Sequence, residues 1–317
     1  MKVDVSKVVR KYAIIIVLIV LIAVFSFLSP AFATFNNAMN VVRQISMMGI
    51  VTVGFTFVLL GGGLDLSVGS QMAVMNVVMA MMIRDLAMNP VLAILIGIAM
   101  TTAIGWFNGF AISKTGIPPL IATLAMQTAL RGLSFILSKG RPVYGIPDSI
   151  KFIGQGYVFG VIPIPGLILA AAIVFGIVLL NKTYLGRHFY ALGSNPEATR
   201  LSGINIHFTR TMTYTLNGFL TGIAALVMVT RVGSGQPNAA DGFEMNVLTA
   251  AVLGGVSING GKGSIAGAMV GAVIIGVRKN GMSICGANDY WQKVITGIVL
   301  FVVVVFDSLS QEKRKDS

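Results

Sequence analysis

The chain has 317 residues, of which 55% are apolar and 11% charged, with a net charge of +12 and a mean hydropathy of +0.85. Ordinary soluble domains carry about 25% charged residues, so this composition excludes a soluble enzyme, a disordered tail and a fibrous repeat. The single cysteine, Cys285, excludes an intrachain disulfide framework and a cysteine-based metal cluster. In so apolar a chain, +12 reads as Lys and Arg holding loops in the cytoplasm, with no nucleic acid implied.

A run of about 20 apolar residues crosses a bilayer. The first follows Lys2, Lys7, Arg10 and Lys11 and extends uncharged from Tyr12 to Leu28. Ala31-Phe32-Ala33 resembles a signal-peptidase site, but the run is longer than a usual signal core and more spans follow, so the helix is expected to be retained. Further spans are predicted near 41–60, 69–84, 91–112, 119–138, 163–181, 208–229, 243–258, 265–281 and 290–306. That makes ten helices in an all-α, polytopic membrane bundle, a single transmembrane domain over residues 1–317. Lipid offers backbone groups no partner, and the runs lack the alternation of a barrel strand. An even number of spans puts both termini on one side. Both basic tails and the basic loop from Lys182 to Arg210 share that side, which is therefore read as cytoplasmic.

Two spans end in similar glycine clusters. Leu59-Leu60-Gly61-Gly62 leads through Asp65 to Gly69-Ser70, and Val252-Leu253-Gly254-Gly255 leads through Asn259 to Gly263-Ser264. Asn108-Gly109 and Asn280-Gly281 add a second echo. A parallel internal repeat with interrupted helices, a transporter device, is one explanation. The shared glycine-rich composition of membrane helices is the other.

Catalytic motifs are wanting. Around Lys262 a phosphate-binding loop G-x-x-x-x-G-K-[ST] fails, because Val256 and Gly263 stand at required positions, so ATP hydrolysis is not expected of this chain. His188 and His207 have no metal-ligand spacing, and no nucleophile elbow is present. The 17 methionines read as packing material. Asp65 is read as the acid near a span interior, where a carboxylate is expensive. With Ser67 it caps the following helix, or it serves transport directly; both readings stand. Arg131 snorkels outward or faces the bundle. Asn76, Asn108, Thr123, Gln127 and Asn217 are uncharged polar residues within or near spans, candidates with Asp65 and Ser67 for a substrate pathway. For any one of them an interhelical hydrogen bond is the plainer role.

The loop 182–207 differs from the others. Asn195 can cap a short helix with Pro196 at its first position and Glu197 in its first turn, and Gly203 can end it. Such a helix is too short to stand alone and suits docking to a cytosolic partner. Here the chain resembles the permease subunits of bacterial ABC importers for monosaccharides, the ribose-type family. Glu197-Ala198-Thr199 with Gly203 is similar to the E-A-A-x-x-x-G loop of permeases, departing at Thr199, and Gly186-Arg187 and Arg200 belong to the same phrase. Asp65-Leu66-Ser67-Val68-Gly69-Ser70, Phe35-Asn36-Asn37, Ile121-Ala122-Thr123-Leu124 and Gly260-Gly261-Lys262-Gly263 extend the resemblance over about residues 12–308. The resemblance implies a bacterial inner-membrane location, a cytosolic ABC ATPase that holds ATP and Mg, a second permease subunit and an extracytoplasmic substrate-binding protein. No cofactor is implied for this chain, and the sugar is not specified.

Overall fold

The computed structural model describes the backbone of residues 5–315 and the side chains of residues 14–305. The basic tails, Lys2 to Lys11 and Lys313 to Lys315, lie outside the residues described at side-chain level. The fold is helical: α1 (Val5–Leu28), α2 (Phe35–Leu60), α3 (Val68–Asp85), α4 (Pro90–Thr115), α5 (Pro119–Ser138), α6 (Asp148–Gln155), α7 (Ile164–Lys182), α8 (Tyr184–Ser194), α9 (Pro196–Leu201), α10 (Ile206–Val232), α11 (Phe243–Leu253), α12 (Ile265–Ile284) and α13 (Asp289–Lys315). Among the described residues, strands are confined to two short antiparallel pairs. β1 (Val143–Tyr144) pairs with β4 (Ser234–Gly235) and β2 (Tyr157–Val158) with β3 (Ile162–Pro163).

Local chemistry sets the helix ends. Thr34, Asn89, Asn205 and Ser264 each accept a backbone N–H in the first turn of α2, α4, α10 and α12, satisfying donors the helix leaves unpaired. Asn89 is followed by Pro90, whose missing N–H costs nothing there. Gly116 and Gly233 end α4 and α10 at φ +72° and +76°, where a side chain would be strained.

Helices α2, α4, α5, α7, α10 and α12 are long and apolar enough to cross a membrane. The protein is a multi-pass membrane protein. Buried α2, α10 and α12 form the centre, whereas α4, α5 and α7 are mostly exposed. Their outer faces, with Leu95, Ile121 and Val174, are apolar and suit lipid. α3 is enclosed despite Ser70, Gln71 and Asn76. The predicted span 243–258 stops at Leu253, because Gly254 lies against the backbone of Gly267 and Gly255 turns left-handed at φ +85°. The segment between α5 and α7 also holds α6 and β1 to β3, and β4 follows α10, none of which sequence pattern revealed.

With lipid outside, apolar burial gives helices little reason to associate, and close packing takes over. On α4, Thr101, Gly105 and Gly109 recur every fourth residue and face Gly222, Gly218 and Thr211 of antiparallel α10. A Cβ on Gly105 would overlap the carbonyl of Tyr214, and one on Gly218 the carbonyl of Thr101. At the far end of the bundle, Asn37 of α2 and Asn280 of α12 exchange two side-chain hydrogen bonds of 3.0 Å. Gly105→Leu is expected to force α4 from α10 at a cost of about 1–3 kcal/mol, lowering the thermal midpoint of the purified protein. Gly132→Leu, at a glycine with open space around it, is expected to leave it unchanged.

Candidate functional site: a glycine junction and the helix it seats

The ends of α2 and α11 have the same hydrogen-bond pattern. Gly62 N donates to Leu59 O and Gly63 N to Val58 O; Gly255 N donates to Val252 O and Val256 N to Ala251 O. Both second glycines have positive φ, +72° at Gly62 and +85° at Gly255, the arrangement by which a C-terminus satisfies its last carbonyls. The two breaks then meet. Gly261 N donates to Leu60 O at 3.0 Å, crossing from one to the other.

The third party at this meeting is α8. A Cβ on Gly193 would overlap Leu60 O, and Gly260 lies against the Cα atoms of both Gly62 and Gly193. Phe189 packs its ring against Phe57 with centroids 6.0 Å apart, and Tyr190 donates to Gly263 O at 2.9 Å. Leu192 is fully buried. Thr183 caps α8 by accepting Gly186 N, and Gly186 packs on the carbonyls of Leu179 and Leu180. Helix α8 is therefore seated on the end of α2 and on the loop 254–264 together.

Joined to it by Asn195, α9 has the form the sequence suggested. Asn195 Oδ1 accepts Ala198 N at 3.0 Å, Pro196 stands at the first position and Gly203 turns at φ +80°. Glu197 and Arg200 form an exposed two-point ion pair, which holds the Glu197 carboxyl below its usual range. Such a pair adds little stability; what it offers is fixed geometry. Thr199 is buried, its hydroxyl bonded to Asn195 O, while Leu201 is 76% exposed. Arg187 lies on the exposed side of α8.

Asp65, in the α2–α3 turn, is fully buried at the centre of a second cluster. Its Oδ1 accepts Ser67 N (3.0 Å) and Ser67 Oγ (2.6 Å), and Oδ2 accepts Asn217 Nδ2 from α10 (2.9 Å). Ser67 Oγ in turn accepts Asn108 Nδ2 from α4 and Gln71 Nε2 from α3. Tyr214 donates to Leu64 O, as does Thr123, whose nearer partner is Pro119 O. Four predicted pathway residues, Asp65, Ser67, Asn108 and Asn217, thus form one network, with Thr123 beside it. Asn76 stands apart on α3; in the amide orientation that satisfies both its atoms it donates to Ala225 O. Gln127 is also apart, donating to Glu244 Oε1 at 2.7 Å.

Several residues escaped the sequence reading. Glu244, in the first turn of α11, is a second acid in a predicted span and is 4% exposed; its position inside the apolar run 243–258 was the available signal. Gln71 and Tyr214 complete the Asp65 cluster. Arg131 faces inward, donating to the carbonyls of Pro237 and Ala239. Helix α8 went unread because Gly186, Gly193 and Ser194 are turn-forming residues, and only its neighbours reveal why glycine is needed. Among the described residues no group of acids, histidines or cysteines is arranged to hold a metal.

Comparison with known proteins gives a consistent set of relatives. The family model described as branched-chain amino acid transport system, permease component, matches residues 37–304. The ribose import permease protein of Bacillus subtilis is 38% identical over 92% of this chain and 90% of its own length. That of Escherichia coli K12 is 38% identical over 94% and 93%, and the L-arabinose transport system permease protein of the same organism 38% over 96% and 92%. No solved structure matches.

Replacing Asp65 with Ala leaves the buried donors of Ser67 and Asn217 without acceptors, a loss of about 1–3 kcal/mol for each stranded group. The thermal midpoint of Asp65→Ala is expected to fall clearly, and that of Asp65→Asn, which keeps one acceptor oxygen, to fall less.

Proposed function

The chain belongs to the family of branched-chain amino acid transport system permease components, and from that premise we propose that it is the membrane-spanning subunit of an ATP-driven ABC importer for a monosaccharide of the ribose type. The names of the relatives, ribose and L-arabinose permeases, support a pentose. The whole of residues 1–317 is read as one permease domain of the bacterial inner membrane. Its partners are a cytosolic ATPase that binds ATP and Mg, a second permease subunit, either a copy or a paralogue, and an extracytoplasmic binding protein that delivers the solute.

In this reading α1 to α5, α7, α10, α12 and α13 make nine crossings, the short α11 with the loop 254–264 makes the tenth, and both termini are cytoplasmic. The side is supported by the basic residues around α8 and α9. Cysteine introduced at position 195 in a Cys285→Ser background is expected to react only from the cytoplasmic side, and at 145 only from outside. The reverse pattern overturns the orientation.

The observation that carries the function is the seating of α8: one exposed helix pair touches both helix breaks at once. Gly186, Arg187, Asn195, Glu197, Ala198, Thr199, Arg200 and Gly203 build the coupling element. Of these, Glu197 and Arg200 present a rigid charged face to the ATPase, whereas Asn195, Thr199 and Gly203 shape α9 and Gly186 seats α8. When ATP binding and hydrolysis move this pair, Gly193 displaces the end of α2 and the loop 254–264 together. The helices then reshape a passage between two permease subunits, open alternately to each side. Complete burial of Asp65, Ser67, Asn108 and Asn217 supports a brace at the α2–α3 break, and Asn76 and Thr123 are enclosed like them. Half-buried Gln127 on α5 is the pathway candidate that a solute reaches without parting the core.

Glu197→Lys reverses the charge presented to the ATPase. We expect uptake in cells to fall by about tenfold or more, the effect of about 1.4 kcal/mol of lost docking energy, with membrane insertion unchanged. Wild-type uptake refutes the docking role. The solute class is tested by screening the cognate binding protein against pentoses, hexoses, furanoses, nucleosides and branched-chain amino acids; selective pentose binding is expected.

A further inference from the structure

At the ends of α2, α10 and α12 remote from the glycine junction, two adjoining cavities flank the start of α13. One, of about 440 Å³, opens between α11, α12 and α13. The other, of about 470 Å³, extends against α2 and α10. Four cations, Arg231, Arg278, Lys279 and Lys293, line them against two acids, Asp241 and Asp289, a balance of 4 − 2 = +2. Lys293 and Asp241 form an exposed ion pair of 3.2 Å at the rim; of the remaining cations Arg278 is buried, Arg231 half-buried and Lys279 exposed.

Arg278 is the informative residue. It is 6% exposed, and its Nη2 donates to Thr296 Oγ1 at 2.7 Å. Its Nε and Nη1 are buried and have no acceptor among the described residues. A buried guanidinium with donors unpaired is costly. A planar fork of this kind matches the oxygens of a phosphate, which accepts several charge-assisted hydrogen bonds at once.

The surroundings set the depth. Tyr290 and Trp291, 77% and 62% exposed, stand at the start of α13, the residue types that settle where bilayer meets water. About two to three turns further along, Ile298, Phe301 and Val302 are exposed and apolar. Within the first cavity the lining likewise changes from Arg278 and Lys279 to Gly297 and Leu300. A charged chamber at headgroup level with an apolar extension along one helix fits a phosphate carried on a lipid, whose oxygens accept from a guanidinium while its chains follow the apolar face.

We propose that Arg278, with Lys279, forms a binding site for a phosphate group, that of an anionic phospholipid headgroup by its depth, with free phosphate as the other source of the same chemistry. This site is separate from the coupling helices and does not depend on the transported solute. Asp289 opposes the anion, so its removal strengthens binding.

The test uses the full chain in nanodiscs of a phosphate-free digalactosyl lipid, with or without phosphatidylglycerol. Native mass spectrometry counts the phosphatidylglycerol retained after release, and a parallel arm follows the thermal midpoint on adding inorganic phosphate. The wild type is expected to retain phosphatidylglycerol, Arg278→Gln to retain it roughly tenfold less, and Asp289→Asn to retain more. Stabilisation by inorganic phosphate without lipid retention assigns the site to the free anion. The proposal is overturned if the wild type shows neither response, or if Arg278→Gln matches it in both. Should Arg278→Gln fail to insert, Asp289→Asn decides: unchanged retention and unchanged response to phosphate overturn the proposal.

Discussion

Three stretches of backbone meet in this protein at a distance that no side chain permits. Gly62 at the end of α2, Gly193 on α8 and Gly260-Gly261 in the loop after α11 pack so closely that a Cβ on Gly193 or Gly260 would overlap the facing backbone, and Gly261 N donates to Leu60 O across the gap. Glycine lets chains approach this closely and adopt the left-handed turns at Gly62, Gly260 and Gly261. Much else follows from the meeting. It ties the end of α2 to the loop after α11 and seats α8 on both.

A broken helix inside a membrane exposes polar backbone that lipid cannot satisfy. Here the cost is met locally. The break after α2 is tied down by Asp65, whose carboxylate gathers donors from Ser67 and Asn217, and through Ser67 reaches Asn108 and Gln71. Those donors arrive because α4 and α10 pack closely along Thr101, Gly105, Gly109, Gly218 and Gly222. Small residues set the helix spacing, the spacing brings the amides together, and the amides hold the turn that ends at the glycine junction. A rigid junction of this kind can pass a small displacement of α8 into the bundle, because packed cores shift between discrete arrangements rather than deform smoothly.

Much of this was legible in residue order. The predicted spans correspond to helices because runs of apolar residues between Gly, Pro and charge leave little choice in lipid. Asn195, Pro196 and Gly203 announced α9 through capping rules that act within one turn. The likeness of Gly61-Gly62 and Gly254-Gly255 pointed to the two breaks, whose hydrogen bonds match at each step. Contacts distant in sequence were not legible. Nothing near Gly193 in the chain reveals that Leu60 and Gly261 press on it, so α8 read as a loop. Asp65 was recognised as an unusual acid, but its partner Asn217 lies 152 residues away, and the burial of Arg278 depends on α13, whose Thr296 accepts from it. The early stop of α11 similarly depends on Gly254 meeting Gly267, an event of packing rather than of local propensity.

In the proposed mechanism α8 is the rigid link between the ATPase and both helix breaks. The most direct measurement is solute uptake per ATP hydrolysed by the assembled importer in proteoliposomes, comparing Gly193→Ala with the unobstructed Gly132→Ala. One methyl group at 193 meets Leu60 O and Gly261 N, so the account predicts that Gly193→Ala assembles with its ATPase and hydrolyses ATP while moving little solute, whereas Gly132→Ala transports normally. Equal coupling in the two variants would contradict it.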